Sequence, residues 1–469
     1  MLNVTKSSAN VFLDAPPISR SIHQLNDYSS YLVYSLCSMP LVRMHPTENT
    51  ILPLAARSWK ATNNYSGYEF VLRDDIYWST GEKVKAIDYC MAINFVLADN
   101  SNRFRSLLAD IIGYSEVIKE KSNNLSGMEF ENNIIRFRLN SPNYFFPMYL
   151  SLPVLSPLST INHEIFCGAY IINKVADYEV ELKRNEYFKH DLKSDIIDKI
   201  TFSYKVNESD PFALEAFNQG EIDVTSDTAF PYDKYSSYVQ QKAIMQEYNV
   251  DISCILSENK NTTPELTKIL TYGINREYII EKLHGVPELN CGYHHLFDRK
   301  NRSNHDYLYN KKLALELSSK IDTSTEITIA YEDFYPNLEI ITLIAEQLEN
   351  IGLKFNFVVE EYGARNIDSH FRLELRKSPI PDPFLFYKSA SKSKRVLTNQ
   401  KSKEQLYYLL NRYQRTQDEN KRLFMAMEMD SILIQLGQYV PILKIPGIYL
   451  KNPILKNSSL FSPGQLWHV

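Results

Sequence analysis

The stretch Ile327-Thr-Ile-Ala-Tyr-Glu-Asp-Phe-Tyr-Pro-Asn-Leu-Glu-Ile-Ile-Thr-Leu-Ile-Ala-Glu-Gln-Leu-Glu-Asn-Ile-Gly-Leu-Lys-Phe-Asn-Phe357 decides the fold class. Ile327 to Ala330 reads as a strand. Leu338, Ile341, Ala345, Leu348 and Ile351 then recur at helical spacing, Gly352 stops the helix, and Leu353, Phe355 and Phe357 alternate as in a second strand. That order favours an α/β sheet with covered faces. Earlier, Ile200, Phe202, Tyr204 and Val206 alternate, Asp210-Pro211 offers an N-cap and an N1 proline ahead of Leu214 and Phe217, Gly220 closes the helix, and Glu221-Ile-Asp-Val224 starts a further strand. Tyr68 to Arg73 reads as a strand, and Val84 to Asp88 as a helix entry followed by Met91, Ile93, Phe95 and Val96. Thr263 caps a helix whose N1 is Pro264 and whose Leu266, Ile269 and Leu270 share a face; Gly285 ends the helix after it. Asp251-Ile-Ser-Cys-Ile-Leu256 reads as a strand carrying the chain between lobes, which places a lobe boundary near 250–262.

The 469 residues are 44% hydrophobic, enough for a large core divided between lobes. Against 56 Asp+Glu stand 51 Lys+Arg, a net charge of -5, which argues against a chain that coats nucleic acid or membrane. The five cysteines, Cys37, Cys90, Cys167, Cys254 and Cys291, form no CxxC pair, so neither a disulfide framework nor a zinc knuckle fits and buried free thiols are expected. No run reaches the ~18 apolar residues of a membrane helix. The first ten residues, Met1 to Asn10, carry no basic region followed by an apolar one, so the expectation is a cytosolic chain or one whose signal was removed.

Searches for GxSxG, HExxH, a Walker A loop, GxGxxG and an EF-hand loop fail, which lowers the weight of an enzyme. Cys291-Gly-Tyr-His-His295, with His284 upstream, lacks the spacing of a common metal site and reads as a loop with two ordinary histidines; neither a metal nor a cofactor is expected. The adjacent acids Glu360-Glu361 and Asp74-Asp75 read as solvated surface. Between Arg372 and Lys403 nine Lys/Arg face only Glu374 and Asp382, either as a solvated loop or as a basic wall toward an anionic ligand. Tyr77, Trp78, Phe384, Phe386 and Tyr387 are the aromatics placed to meet a ligand.

Leu41-Val-Arg43, Leu52-Pro-Leu-Ala-Ala-Arg-Ser-Trp59, Tyr68-Glu-Phe-Val-Leu-Arg73 and Trp78-Ser-Thr-Gly81 follow in one order. This order resembles the opening of family 5 extracellular solute-binding proteins, the oligopeptide, dipeptide and nickel receptors of ABC importers. Cys167-Gly-Ala-Tyr170 with Leu182-Lys-Arg-Asn-Glu-Tyr-Phe188, Ala216-Phe-Asn-Gln-Gly-Glu-Ile-Asp223, and Tyr272-Gly-Ile-Asn-Arg-Glu277 with Ile344-Ala-Glu-Gln-Leu-Glu-Asn-Ile-Gly352 extend it over most of the chain.

The resemblance implies a two-lobe clamp with an extra α/β subdomain inserted in the first lobe, binding a solute without catalysis. The implied bounds are 1–55 and 161–255 for the first lobe, 56–160 for the inserted subdomain, 256–440 for the second lobe and 441–469 for a return to the first. In peptide-binding members an Asp three residues before the acid of a Glu-Pro or Asp-Pro pair holds the ligand's amine. Here the pair is Asp382-Pro383, so that position is Pro379, and Arg376 and Lys377 nearby favour a carboxylate or phosphate. The implied ligand-binding residues are therefore Arg376, Lys377, Asp382, Phe384, Tyr387 and Trp78, with Gly168 in a hinge-side phrase. The implied partners are a peptide-like or small anionic solute and an importer permease if the chain is exported, with no nucleic acid and a monomeric state. A second resemblance, to the solute-binding domain of sugar-phosphate-stress-type regulators, rests on Leu460-Phe-Ser-Pro-Gly-Gln-Leu-Trp467 and implies a cytosolic ligand sensor.

Overall fold

A computed structural model describes residues 7–45, 50–189, 197–204, 209–240, 245–259, 262–296, 306–322, 326–364, 367–377, 380 and 382–455. Pro379 and the 460–467 phrase lie outside them. The chain divides into two compact units: Met1–Ser226, Ala243–Gln246 and Tyr449–Val469 in the first, Asp227–Lys242 and Glu247–Ile448 in the second. The chain thus first leaves the first unit at Ser226 and makes its last return at Tyr449.

The second unit is built on the β-α-β element. Strands Glu326–Glu332 and Lys354–Glu360 run parallel, with Ile327 opposite Phe355 and Ile329 opposite Phe357. Helix Asn337–Glu349 connects them, and Gly352 takes φ +87°, a left-handed conformation that only glycine adopts without strain. The expected face is buried at Ile341, Ala345, Leu348 and Ile351 but not at Leu338. Ile340, Ile341, Ile344, Ala345 and Leu348 are inside, while Leu338 is 44% exposed. At 100° per residue Leu338 lies only about 20° from Ala345 but roughly 90° from the middle of the buried stripe, so it falls at its edge, in the first turn.

These strands form one side of a six-stranded sheet, in the order Glu288–Leu289, Tyr439–Leu450, Met245–Glu258, Phe371–Arg376, Glu326–Glu332, Lys354–Glu360. Thr263 caps helix Pro264–Gly273 by accepting from the Leu266 amide, at 3.1 Å. The acid pair at 360–361 is not uniformly solvated: Glu360 is buried and receives the Arg372 guanidinium on both oxygens, at 2.7 Å each. The strand arrangement brings that base to it, which adjacency in sequence could not reveal.

In the first unit, strand Ser8–Phe12 pairs in parallel with Lys199–Ser203, which continues antiparallel to Glu179–Arg184 and on to Tyr170–Ala176. A separate antiparallel sheet, ordered Ala56–Thr62, Gly67–Leu72, Ile134–Arg138, Met128–Glu131, buries Tyr68, Phe70 and Phe137. Phe137 meets Phe70 and Phe146 edge to face, with centroids at 5.9 and 5.0 Å. Each such ring, fully buried, contributes about 1.5–3 kcal/mol. Asp210 does serve the helix after it, Leu214–Asn218, by accepting from the amides of Leu214 and Ala216. The strand expected from Glu221 is reduced to single bridges of Val224 with Val11 and Lys451. All five cysteines are buried free thiols.

Candidate functional site

Five of the six expected ligand residues fall in one segment of the second unit, from the end of strand Phe371–Arg376 to helix Phe384–Ala390. Residues two apart on a strand share a face, so Glu374 and Arg376 stand side by side. The Arg376 Nε donates to the Glu374 carboxylate. The guanidinium lies 5.8 Å from the Phe386 ring centroid, and Tyr293 stacks on that ring at 3.3 Å. Lys377 follows, its Nζ 3.4 Å from the buried Asp227 carboxylate. The side chains of Arg376 and Lys377 are 38% and 21% exposed.

The other three point inward. Asp382 is 2% exposed; its Oδ1 accepts from the Phe384 amide at 2.8 Å and from the Tyr413 hydroxyl at 3.0 Å, and Arg422 Nε stands 3.7 Å from Oδ2. Phe384 stacks on Tyr413 with rings 9° from parallel, and the Tyr387 hydroxyl donates to Asp430 at 2.9 Å. Trp78 belongs to the first unit, where it lines, with His23 and Phe166, a cavity of about 10 Å³, room for a single water. Gly168, in the same unit, sits where a Cβ would come within 2.3 Å of the Cys37 carbonyl carbon, so this phrase is required for close backbone packing.

The basic segment is neutralised in part. Of the nine bases between 372 and 403, Arg372 pairs with Glu360, Arg376 with Glu374, Lys377 with Asp227 and Arg395 with Glu258. Reading the sequence missed these pairings. Glu374 could have been found from its two-residue spacing to Arg376, whereas Asp227 and Glu258 lie more than a hundred residues from their partners. At the former metal candidate, His294 Nδ1 is 2.6 Å from Asp430 Oδ2. Among the described residues no three His, Cys, Asp or Glu are grouped so as to hold a metal ion.

Burial drives the Asp382 carboxyl up to about 7, against the pull of Arg422 and the bonds from Phe384 and Tyr413. An acid whose folded pKa is raised binds its proton more tightly folded than unfolded. It therefore favours the fold below its ordinary pKa of about 4, and that contribution is lost as the pH rises through 7. Asp382→Asn should lose less stability than the parent between pH 5 and pH 8, by on the order of 1–3 kcal/mol. Urea unfolding at both pH values checks this; parallel losses would discard the assignment.

Residues 50–388 match the family described as bacterial extracellular solute-binding proteins, family 5. The chain belongs to family 5. Over 298 residues this family 5 chain is 26% identical to the nickel-binding periplasmic protein of Escherichia coli K12, a match covering 58% of this chain. The chain spans about half of that relative, 52% of its length. Its fold matches OppA of Haemophilus influenzae in complex with the peptide RPPGFSPFR, with a TM-score of 0.80, 17% identity, and 96% and 95% of the two chains covered. It matches a periplasmic oligopeptide-binding protein of Borrelia burgdorferi at 0.82, with 17% identity and 95% of each chain covered. NikA of Brucella suis, in complex with Fe(III)-EDTA, aligns at 0.74, with 16% identity and 95% of each chain covered.

Proposed function

We propose that this family 5 chain is a non-catalytic solute-binding protein that delivers cargo to the permease of a peptide/nickel-type ABC importer, acting as a monomer and leaving the cargo chemically unchanged. The cargo we infer is a peptide-like zwitterion rather than a bare anion. The observation that carries this choice is the pairing of each half-exposed base with an acid, Arg376 with Glu374 and Lys377 with Asp227. A lone anion approaching either base also meets a carboxylate. A zwitterion can present its ammonium to an acid and its carboxylate to a base. In this reading Arg376 and Lys377 touch the ligand, and Asp382, Phe384 and Tyr387 hold the segment that presents them. Trp78, in the first unit, is kept as a packing residue.

The test is native against denaturing mass spectrometry of protein purified gently from its host. Release of a peptide-sized zwitterion supports the reading; release of an inorganic or phosphorylated anion overturns the choice of cargo. With the released compound in hand, the double variant Arg376→Gln, Lys377→Gln should bind it more than tenfold more weakly, about 1.4 kcal/mol. Unchanged affinity would make the segment ordinary surface.

A further inference from the structure

The helices of the second unit enclose an open groove of about 510 Å³ that shares no residue with the 374–387 segment. That volume is in the range of sites for small organic ligands, about 300–1,000 Å³. Two ridges of residues four apart make its walls: Lys268 and Tyr272 on helix Pro264–Gly273, Leu313 and Leu317 on helix Lys311–Ser318. The two helices pack closely, since a Cβ on Gly273 would come within 3.5 Å of that of Ala314. With Leu266, Ile269 and Leu270 turned into the core, 268 and 272 are left on the groove side. Leu313, Leu317 and Tyr272 stay half-exposed there, an apolar surface that nothing in this unit covers among the described residues.

The polar side of the groove is cationic. Lys268 has no carboxylate or hydrogen-bond partner among the described residues, unlike the four bases paired above. Asn399 and Ser402 border the groove where helix Gln400–Tyr413 begins. The Asn399 oxygen accepts from the Ser402 amide, which leaves its amide nitrogen free to donate, and the Ser402 hydroxyl is a further donor. Lys394, Lys401 and Lys403, on the elements beside it, also lack carboxylate partners among the described residues, whereas Glu316 is engaged by Lys320 and Glu404 by Gln400.

We propose that this groove is a second ligand site, for a small amphipathic monocarboxylate. Its carboxylate pairs with the Lys268 ammonium and accepts from the donors at 399 and 402, and its hydrocarbon body lies on Tyr272, Leu313 and Leu317. One lysine supplies a single point charge, and half the lining is apolar, so a monoanion with a carbon chain suits it better than a compact dianion such as phosphate.

The test titrates sodium octanoate into the full chain by calorimetry, with octanol as the uncharged control. The parent should bind one octanoate saturably, and octanol at least fivefold more weakly. Lys268→Gln should reduce octanoate affinity at least fivefold, and Leu317→Trp, which fills the groove, should abolish binding. Thermal melts establish that both variants fold; if Leu317→Trp does not, Leu313→Trp takes its place. No saturable binding by the parent, or parental affinity in either variant, overturns the proposal. Because the groove lies apart from Arg376 and Lys377, the double variant at those positions should bind octanoate normally.

Discussion

Replacing Arg276 with Met should destabilise the second unit by about 3–5 kcal/mol, a large part of the 5–15 kcal/mol that holds a typical domain folded. Arg276 is wholly buried. Its Nε donates to the Pro441 carbonyl at 2.7 Å, Nη1 to the Ile274 carbonyl at 2.9 Å, and both terminal nitrogens to the Thr271 carbonyl at 3.3 Å. Asp306 supplies the counter-charge at 3.3 Å and also accepts from the Arg276, Leu308 and Tyr309 amides. One side chain thus ties together the end of helix Pro264–Gly273, the start of helix Arg276–Lys282, the 306–309 turn and strand Tyr439–Leu450. Methionine fills much of the space but leaves a buried carboxylate and three carbonyls without those donors, and that penalty outweighs any gain in apolar contact. Two of the tryptophans help to separate the effect, since Trp59 and Trp78 belong to the first unit. In urea, the far-ultraviolet circular dichroism transition should split, its second-unit part moving to lower denaturant while tryptophan fluorescence moves less. A variant within 1 kcal/mol of the parent would show that the buried arginine is replaceable.

Arg276 also marks the limit of what the sequence could say. It stands in Tyr272-Gly-Ile-Asn-Arg-Glu277, one of the phrases that carried the family resemblance, yet nothing local announces its partners. Pro441 is 165 residues away. The β-α-β element at 327–357 was legible because its signal is local: strand and helix periods, and a glycine at the one position needing positive φ. Its buried helix face was legible in part: Ile341, Ala345, Leu348 and Ile351 are inside as expected, while Ile340 and Ile344 widen the stripe and leave Leu338 at its edge.

Long-range pairing explains the remaining misses. Val224 bridges Val11 and Lys451 and its backbone bonds Asn10 and Phe12, all far from it in sequence, so its short apolar run joins the sheet at single bridges and not along a ladder. The bases between 372 and 403 read as a solvated loop or a basic wall because the acids that pair four of them, Asp227 and Glu258 above all, come from elsewhere in the chain. Asp382 was singled out as a ligand contact by resemblance. An Asp-Pro pair is a local signature, but the rings and guanidinium that enclose it arrive from helices Gln400–Tyr413 and Glu419–Gln435.

The same logic predicts a loss of about 3–5 kcal/mol for Asp430→Ala, at the polar centre beneath the candidate site. The Asp430 carboxylate is 2% exposed and surrounded by donors. Oδ2 accepts from the His294 amide at 2.8 Å and the Tyr387 hydroxyl at 2.9 Å, with His294 Nδ1 at 2.6 Å; Oδ1 accepts from the Tyr439 hydroxyl at 2.6 Å. A Cβ at position 292 would sit 2.4 Å from Oδ2, so the carboxylate reaches this place only because Gly292 has no side chain. Alanine would leave two hydroxyls and an amide buried without an acceptor, together with a cavity. Asparagine keeps the shape but turns an NH₂ toward donors, so Asp430→Asn should recover only part of the loss. Single hydroxyl deletions, Tyr387→Phe and Tyr439→Phe, should each cost about 1 kcal/mol, since each removes a donor and leaves the acceptor well supplied. Chemical denaturation of the four variants gives the ranking; equal, small effects in all of them would mean that water replaces the lost partners. Because Tyr387 anchors the helix that carries Phe386, and Phe386 supports Arg376, loosening this centre should also weaken cargo binding in Asp430→Asn. Tyr439→Phe, which leaves the Tyr387 anchor intact, should bind cargo as the parent does.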